Sequence, residues 1–377
     1  MKVRIPLAKP EITNADRDAV LEVLQNSRLS CGPQVEKFEQ ALCAYLGGNY
    51  AVAVNSGTSA LHLAVETLRL PRGSEVILPS FAFAAPLNVL LQCGLRPVFV
   101  DIDAGTLNTT LEKIEAAITA RTSAVIAIHT FGRPLDMPSI MKLAERHNLQ
   151  VIEDACEALG TEIYGQKAGT FGDVGVLAFY PNKQITTGEG GALLTGSLEI
   201  VNRARRLRNQ GRDPAIDWLQ HIEVGYSYRL SDMNCALGLS QLRRLEVGIE
   251  RRLWLAGLYG ERLKVIYEVC TPAVNSPLGR MSWFCYVIQL RENFDRRDRD
   301  RLCQALLRRG IGCGRYFAPL HRQPIIAGEG RESDLPVTDF VADRVIALPF
   351  YNQMTESNVD EVVAALADSI SEIRRNA

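Results

Sequence analysis

Between residue 50 and about 200, short apolar runs alternate with segments of helical periodicity: YAVAVNS, EVILPSF, RPVFVDID, SAVIAIHT, LQVIEDA, GVLAFYP and GGALLTG. Each run is apolar along its whole length, which predicts strands covered by helices on both faces. The pattern is that of an α/β fold on a mainly parallel sheet, in which ligands gather at the carboxyl ends of the strands. Apolar positions at helical spacing over 236–268, with arginines on the other face, predict one long connecting helix. A strand candidate WFCYVIQL (283–290), an amphipathic helix over 296–309 and a last helix over 355–374 then suit a smaller α+β domain. The expected division is a large domain over 1–245, whose N-terminal segment is free to pack on its neighbour, and a small domain over 246–377.

Composition adds little beyond exclusions. With 47% hydrophobic and 23% charged residues and a net charge of −1, the chain reads as an ordinary globular protein. It offers no basic face for nucleic acid and no polybasic stretch for anionic lipid. Its nine cysteines are scattered and never spaced as CxxC, which suggests reduced thiols in a cytoplasm. No run of about 18 apolar residues is present to span a membrane. The stretch RENFDRRDRDR (291–301) mixes both signs and reads as a solvated turn and helix face.

Three local patterns carry chemistry. In AVNSGTSALHLAV a strand ending at Asn55 leads through small residues into a helix starting near Ser59. The first-turn N–H groups, the helix dipole and the hydroxyls of Thr58 and Ser59 would favour a phosphate, although a plain helix cap reads the same way. In VIEDACEALG, Asp154 and Glu157 follow an apolar strand, where an unpaired buried carboxylate is costly. A protonated pyridine nitrogen would pair such a group; capping the next helix is the simpler alternative. In FYPNKQITTGEGG, Lys183 sits in a glycine-rich turn where an amine can attack an aldehyde, although most loop lysines are merely exposed. Together, in this order, the three match the parts that pyridoxal 5'-phosphate (PLP) needs.

These strings, with IPLAKPEI (5–12), CGPQVEKFE (31–39), PSFAF, HTFGRPLDM, VGYSYRLSDMNCALG (224–238), RYFAPLH (315–321) and ALPFYNQMTESNVDEV (347–362), resemble the DegT/DnrJ/EryC1/StrS family of nucleotide-sugar aminotransferases nearly end to end. The resemblance implies the PLP-dependent transferase fold of aspartate aminotransferase type, with a mainly parallel seven-stranded sheet flanked by helices. It implies that Lys183 is the covalent anchor and proton shuttle, and that Asp154 holds the ring nitrogen protonated. Glu157 would support the ring hydroxyl, Phe83 would stack on the ring and be buried in that role, and Gly57, Thr58 and Ser59 would bind phosphate. Ala178 and Ser227 stand where many members carry phosphate-binding Ser and Asn, and Ser227 lies in a segment that crosses to the partner of a homodimer.

By the same resemblance the substrates are glutamate and a nucleotide-diphosphate keto sugar, with Glu189, Tyr316 and His321 near the substrate. The TTGEGG form of the loop favours amination at C4 of a 4-keto-6-deoxy sugar for surface polysaccharide or O-antigen. A 3-keto-sugar aminotransferase and a non-catalytic regulatory relative are the alternatives. Lys183 argues against the dehydratase subgroup that carries His there. Among the histidines, His62, His129 and His147 read as structural and His221 has no evident role. No two are at metal-ligand spacing, so no metal is expected.

Overall fold

The computed structural model describes residues 3–375 except 27, 49, 214–215, 217–219 and 327–333. Its strands are β1 (Tyr50–Val54), β2 (Glu75–Pro79), β3 (Arg96–Val100), β4 (Thr122–Ile128), β5 (Gln150–Asp154), β6 (Glu162–Ile163), β7 (Gln166–Lys167), β8 (Val174–Ala178), β9 (Gly191–Thr195), β10 (Val269–Cys270), β11 (Tyr286–Leu290) and β12 (Val345–Leu348). All seven apolar runs become strands of one sheet in the order β1-β9-β8-β5-β4-β2-β3. Every pairing in it is parallel except those of β9, which runs against both β1 and β8. The sheet is buried between two apolar layers, one including Phe38, Leu42, Leu143 and Ile249, the other Leu61, Val65, Leu87 and Val201. Burial on both faces is why these runs lack alternation.

A second sheet, β10-β11-β12, is antiparallel and carries its own core around Tyr259, Trp283, Tyr286 and Phe350. Ile5 packs in that core and pairs with Ile311. The helices over Arg296–Arg308 and Glu356–Arg375 fall where periodicity placed them. The long helix expected over 236–268 is instead two, Asp232–Leu242 and Leu245–Leu263. Arg244, between them, has a ψ of 11° and commits its guanidinium to Asp16 and the Glu11 carbonyl. Periodicity alone cannot register that anchoring, because both helices keep their apolar faces inward. Among the described residues no helix is long and apolar enough to cross a membrane.

Strand β5 sits in the middle of the sheet, and its alternation sends neighbouring carboxylates to opposite faces. Glu153 is fully buried and accepts from His129 Nε2 at 2.9 Å and from the backbone N–H groups of Gly169, Phe171 and Gly172 at 2.7, 2.8 and 3.1 Å. His129 Nδ1 accepts from Leu135 N–H, so Nε2 carries the proton given to Glu153. His129 is therefore structural, as expected. Glu153→Ala would strand this set of buried donors; we expect a loss of about 3–5 kcal/mol in a urea denaturation, and a loss below about 1 kcal/mol would show the network to be dispensable.

Candidate active site

The carboxyl ends of the parallel strands open into one cavity of about 390 Å³. Ser56, Gly57 and Thr58 follow β1, Phe81 and Phe83 follow β2, Thr130 follows β4, Asp154, Cys156 and Glu157 come from the end of β5, and Ala178 to Lys183 leave β8. Phe284, Tyr316 and Phe317 complete the lining. That is where a doubly covered sheet has free backbone groups and helix N-termini to offer a ligand.

Lys183 enters from the turn after β8, where its N–H is given to the Tyr180 carbonyl. Its side chain is 14% exposed, with Nζ 3.6 Å from Glu157 Oε1 and 4.1 Å from the centre of the Phe284 ring. Glu157 is held from its other oxygen by Phe131 N–H at 2.9 Å. Burial pushes the Glu157 carboxyl above its usual range, and Lys183 and the Phe131 N–H pull it back only in part. Asp154 is buried and accepts from Cys156 N–H at 3.0 Å, so one oxygen is fixed by backbone while the residue lines the cavity. An amine and two carboxylates thus share a largely enclosed space.

The turn between β1 and its helix is an anion cradle of backbone groups. The helix runs Gly57–Leu68, two residues earlier than expected, because Ser56 is its cap and accepts from Ser59 N–H at 3.0 Å. Ser59 is spent in that cap, its hydroxyl 2.7 Å from Asn55 Oδ1 and 2.8 Å from Ser56 Oγ, and it does not line the cavity. Thr58 does, with its side chain exposed to it. A Cβ at Gly57 would lie 2.7 Å from Ala178 Cβ, and one at Gly191 would lie 2.5 Å from the Ser56 carbonyl oxygen, so both glycines allow β8 and β9 to press against this turn.

The expectation that Phe83 is buried needs correction. Phe83 is 66% exposed rather than buried, and it lines the cavity just ahead of the helix Ala85–Gln92. Phe81, the first aromatic of the same string, is the buried one, packed edge-on against Phe131 and Phe317. His321 lies outside the cavity lining, with Nδ1 2.6 Å from Ser80 Oγ and Nε2 3.1 Å from Asp339. Ser227 is exposed, accepts from Arg229 at 2.9 Å and does not reach this chain's cavity. Glu189 and Tyr316 do line it, and burial raises the Tyr316 hydroxyl to about 12.

Ser56, Cys156, Thr130, Asn182 and Phe284 line the cavity without having been singled out from sequence. Ser56 was legible as the first hydroxyl before an apolar helix; Phe284 was not, since it lies a hundred residues beyond Lys183. Thr130 Oγ1 and Asn182 Oδ1 are buried without a hydrogen-bond partner. Unmet polar groups, a carboxylate, an amine and a backbone anion cradle together fit PLP.

A mainly parallel sheet presenting these groups at its strand ends defines a PLP-dependent transferase. The chain belongs to the DegT/DnrJ/EryC1/StrS aminotransferase family, whose model matches residues 10–367. It is 37% identical to the GDP-perosamine synthase of Caulobacter vibrioides over 96% of this chain and 97% of that protein. It is 35% identical to the spore coat polysaccharide biosynthesis protein SpsC of Bacillus subtilis, over 97% of each. The solved aminotransferase TlmJ of Streptoalloteichus hindustanus superposes with a TM-score of 0.92 at 30% identity, covering 98% of this chain and 100% of that one. The protein is a PLP-dependent sugar aminotransferase.

Two measurements test this geometry. Gly57→Ala forces Cβ against Ala178 and should cost about 1–3 kcal/mol of stability together with weakened cofactor binding, read by denaturation and PLP titration. Unchanged PLP affinity would show that the cradle does not use this close approach. The second concerns Glu157, whose raised carboxyl contributes stability that is present at low pH and lost as pH rises above the ordinary carboxylate range. Glu157→Gln should therefore melt like the parent near pH 4 and above it by pH 7. A gap that is widest at low pH would contradict the stated role of burial.

Proposed function

We propose that the protein transfers the amino group of glutamate to C4 of a nucleotide-linked 4-keto-6-deoxy sugar, supplying an amino sugar for surface polysaccharide. The observation that carries the catalytic part is the meeting of Lys183, Asp154 and the Ser56–Thr58 turn in one cavity. The position of amination rests on the TTGEGG string after Lys183 and on likeness to a perosamine synthase. The proposal includes a cytoplasmic homodimer, in keeping with nine free cysteines and with Ser227 lying outside the lining of its own chain's cavity.

PLP, when bound, supplies an electron sink for the substrate carbon and carries the amino group between the two substrates. In our reading Lys183 would be its covalent point, Asp154 would pair with the ring nitrogen, the Ser56–Thr58 turn would take the phosphate and Phe83 would cover the ring face. Lys183 Nζ then moves a proton at the reacting carbon. Glu157 Oε1, 3.6 Å from that nitrogen, keeps the amine oriented in the cavity. Asp154 would keep a proton on the ring nitrogen, because a carboxylate stabilises a cation placed beside it. Ala178 contributes no hydroxyl, so the phosphate would be held by backbone N–H groups and by Thr58.

The direct test is product analysis after incubation with glutamate and matched 4-keto and 3-keto nucleotide sugars. Amination of the 4-keto sugar is expected; exclusive use of the 3-keto sugar would overturn the position. Lys183→Ala should lower turnover by at least about 10²-fold with the fold intact, as expected for loss of a positioned proton carrier. Asp154→Asn should keep PLP and lose rate by a similar factor; unchanged kinetics would remove Asp154 from the mechanism.

A further inference from the structure

We propose that His62, Glu66 and Cys93 form a binding site for a borderline-soft divalent cation of the zinc class, separate from the cofactor cavity. His62 and Glu66 stand one turn apart on the helix Gly57–Leu68, so their side chains share a face. Cys93 is the cap residue ending the helix Ala85–Gln92, which packs against the first helix. None of the three lines the cofactor cavity.

The geometry points to an ion because both partners converge on one carboxylate oxygen. His62 Nε2 lies 3.7 Å and Cys93 Sγ 3.8 Å from the same Glu66 Oε1, and all three ligand atoms lie within 4.8 Å of one another. A tetrahedral zinc with ordinary bond lengths needs ligand separations of about 3.4 Å for N to O and about 3.6 Å for S to O. The two separations from Glu66 Oε1 are a few tenths of an ångström longer, within side-chain adjustment, and without an ion the Cys93 thiol donates to that oxygen. A nitrogen-to-oxygen distance of 3.7 Å is too long for a direct hydrogen bond.

The surroundings suit a metal. His62 Nδ1 is 2.9 Å from the Tyr228 hydroxyl, the kind of outer contact that orients a ligating imidazole. Tyr226 packs on the same ring at 4.7 Å. Burial lowers the His62 imidazole below its usual range. Burial and Glu66 push the Cys93 thiol up to about 12, so cation binding would release its proton to solvent. Arg72 and Arg203 are nearby positive groups, and Arg203 is committed to Glu223 and to the Glu66 carbonyl. An ion here would clamp the helix that begins at the Ser56–Thr58 turn to the helix that follows Phe83.

The test uses the full-length, PLP-loaded protein after chelator treatment. Titration with Co²⁺ should give one bound ion per chain with the intense visible bands of a tetrahedral complex, and Zn²⁺ should raise the melting temperature. Cys93→Ser and Glu66→Gln should each weaken Co²⁺ binding at least about tenfold while PLP content and circular dichroism stay unchanged. If Cys93→Ser fails to fold, Glu66→Gln decides. No Co²⁺ uptake by the parent protein, or uptake and bands unaltered in the folded variants, would overturn the proposal.

Discussion

The interaction on which the rest depends is the burial of Glu153 at the centre of the sheet, where a histidine and a run of backbone N–H groups meet it. A charge taken out of water is tolerated only when fully paired, and these donors come from the segments on either side of β5. They fix the strand's register against β4 and the turn before β8. Because side chains alternate, fixing Glu153 on one face fixes Asp154 on the other, at the strand end that opens to the cavity. The rigid part of the site is therefore built from the face that holds no ligand.

On the open face the arrangement is deliberately unbalanced. Asp154 has a backbone N–H on one oxygen, Glu157 has another on one of its own, and a single lysine lies beside Glu157. Thr130 and Asn182 keep buried oxygens without partners. Such groups raise the cost of an empty site and lower the cost of a filled one, which is how a preformed pocket turns folding free energy into ligand affinity. The close packing at Gly57 and Gly191 serves the same end, since any side chain there would push the Ser56–Thr58 turn away from β8 and β9.

Likeness to sugar aminotransferases over nearly the full chain fixes the chemistry but not the sugar. The side of the cavity that would meet the substrate is formed by Tyr316, Phe317, Phe284 and Glu189, drawn from segments far apart in sequence. Aromatic walls and one exposed carboxylate leave stereochemistry to loop shape, which is why our proposal for C4 leans on a short string rather than on the cavity.

Sequence alone determined the seven strands, since burial on both faces leaves an unmistakable apolar run, and it marked Lys183, Asp154 and the turn at 57–59 as candidates, since strand ends and glycine turns are local features. Tertiary structure decided everything that depends on distance across the chain. It broke the long helix at Arg244 through contacts with Asp16 and Glu11, exposed Phe83 while burying Phe81, kept Ser59 in a cap, tied His321 to Ser80 and Asp339, and brought Phe284 over Lys183. It also set His62 and Glu66 against Cys93 from a neighbouring helix. Periodicity reports which face of an element is buried; which partner buries it is a property of the whole fold.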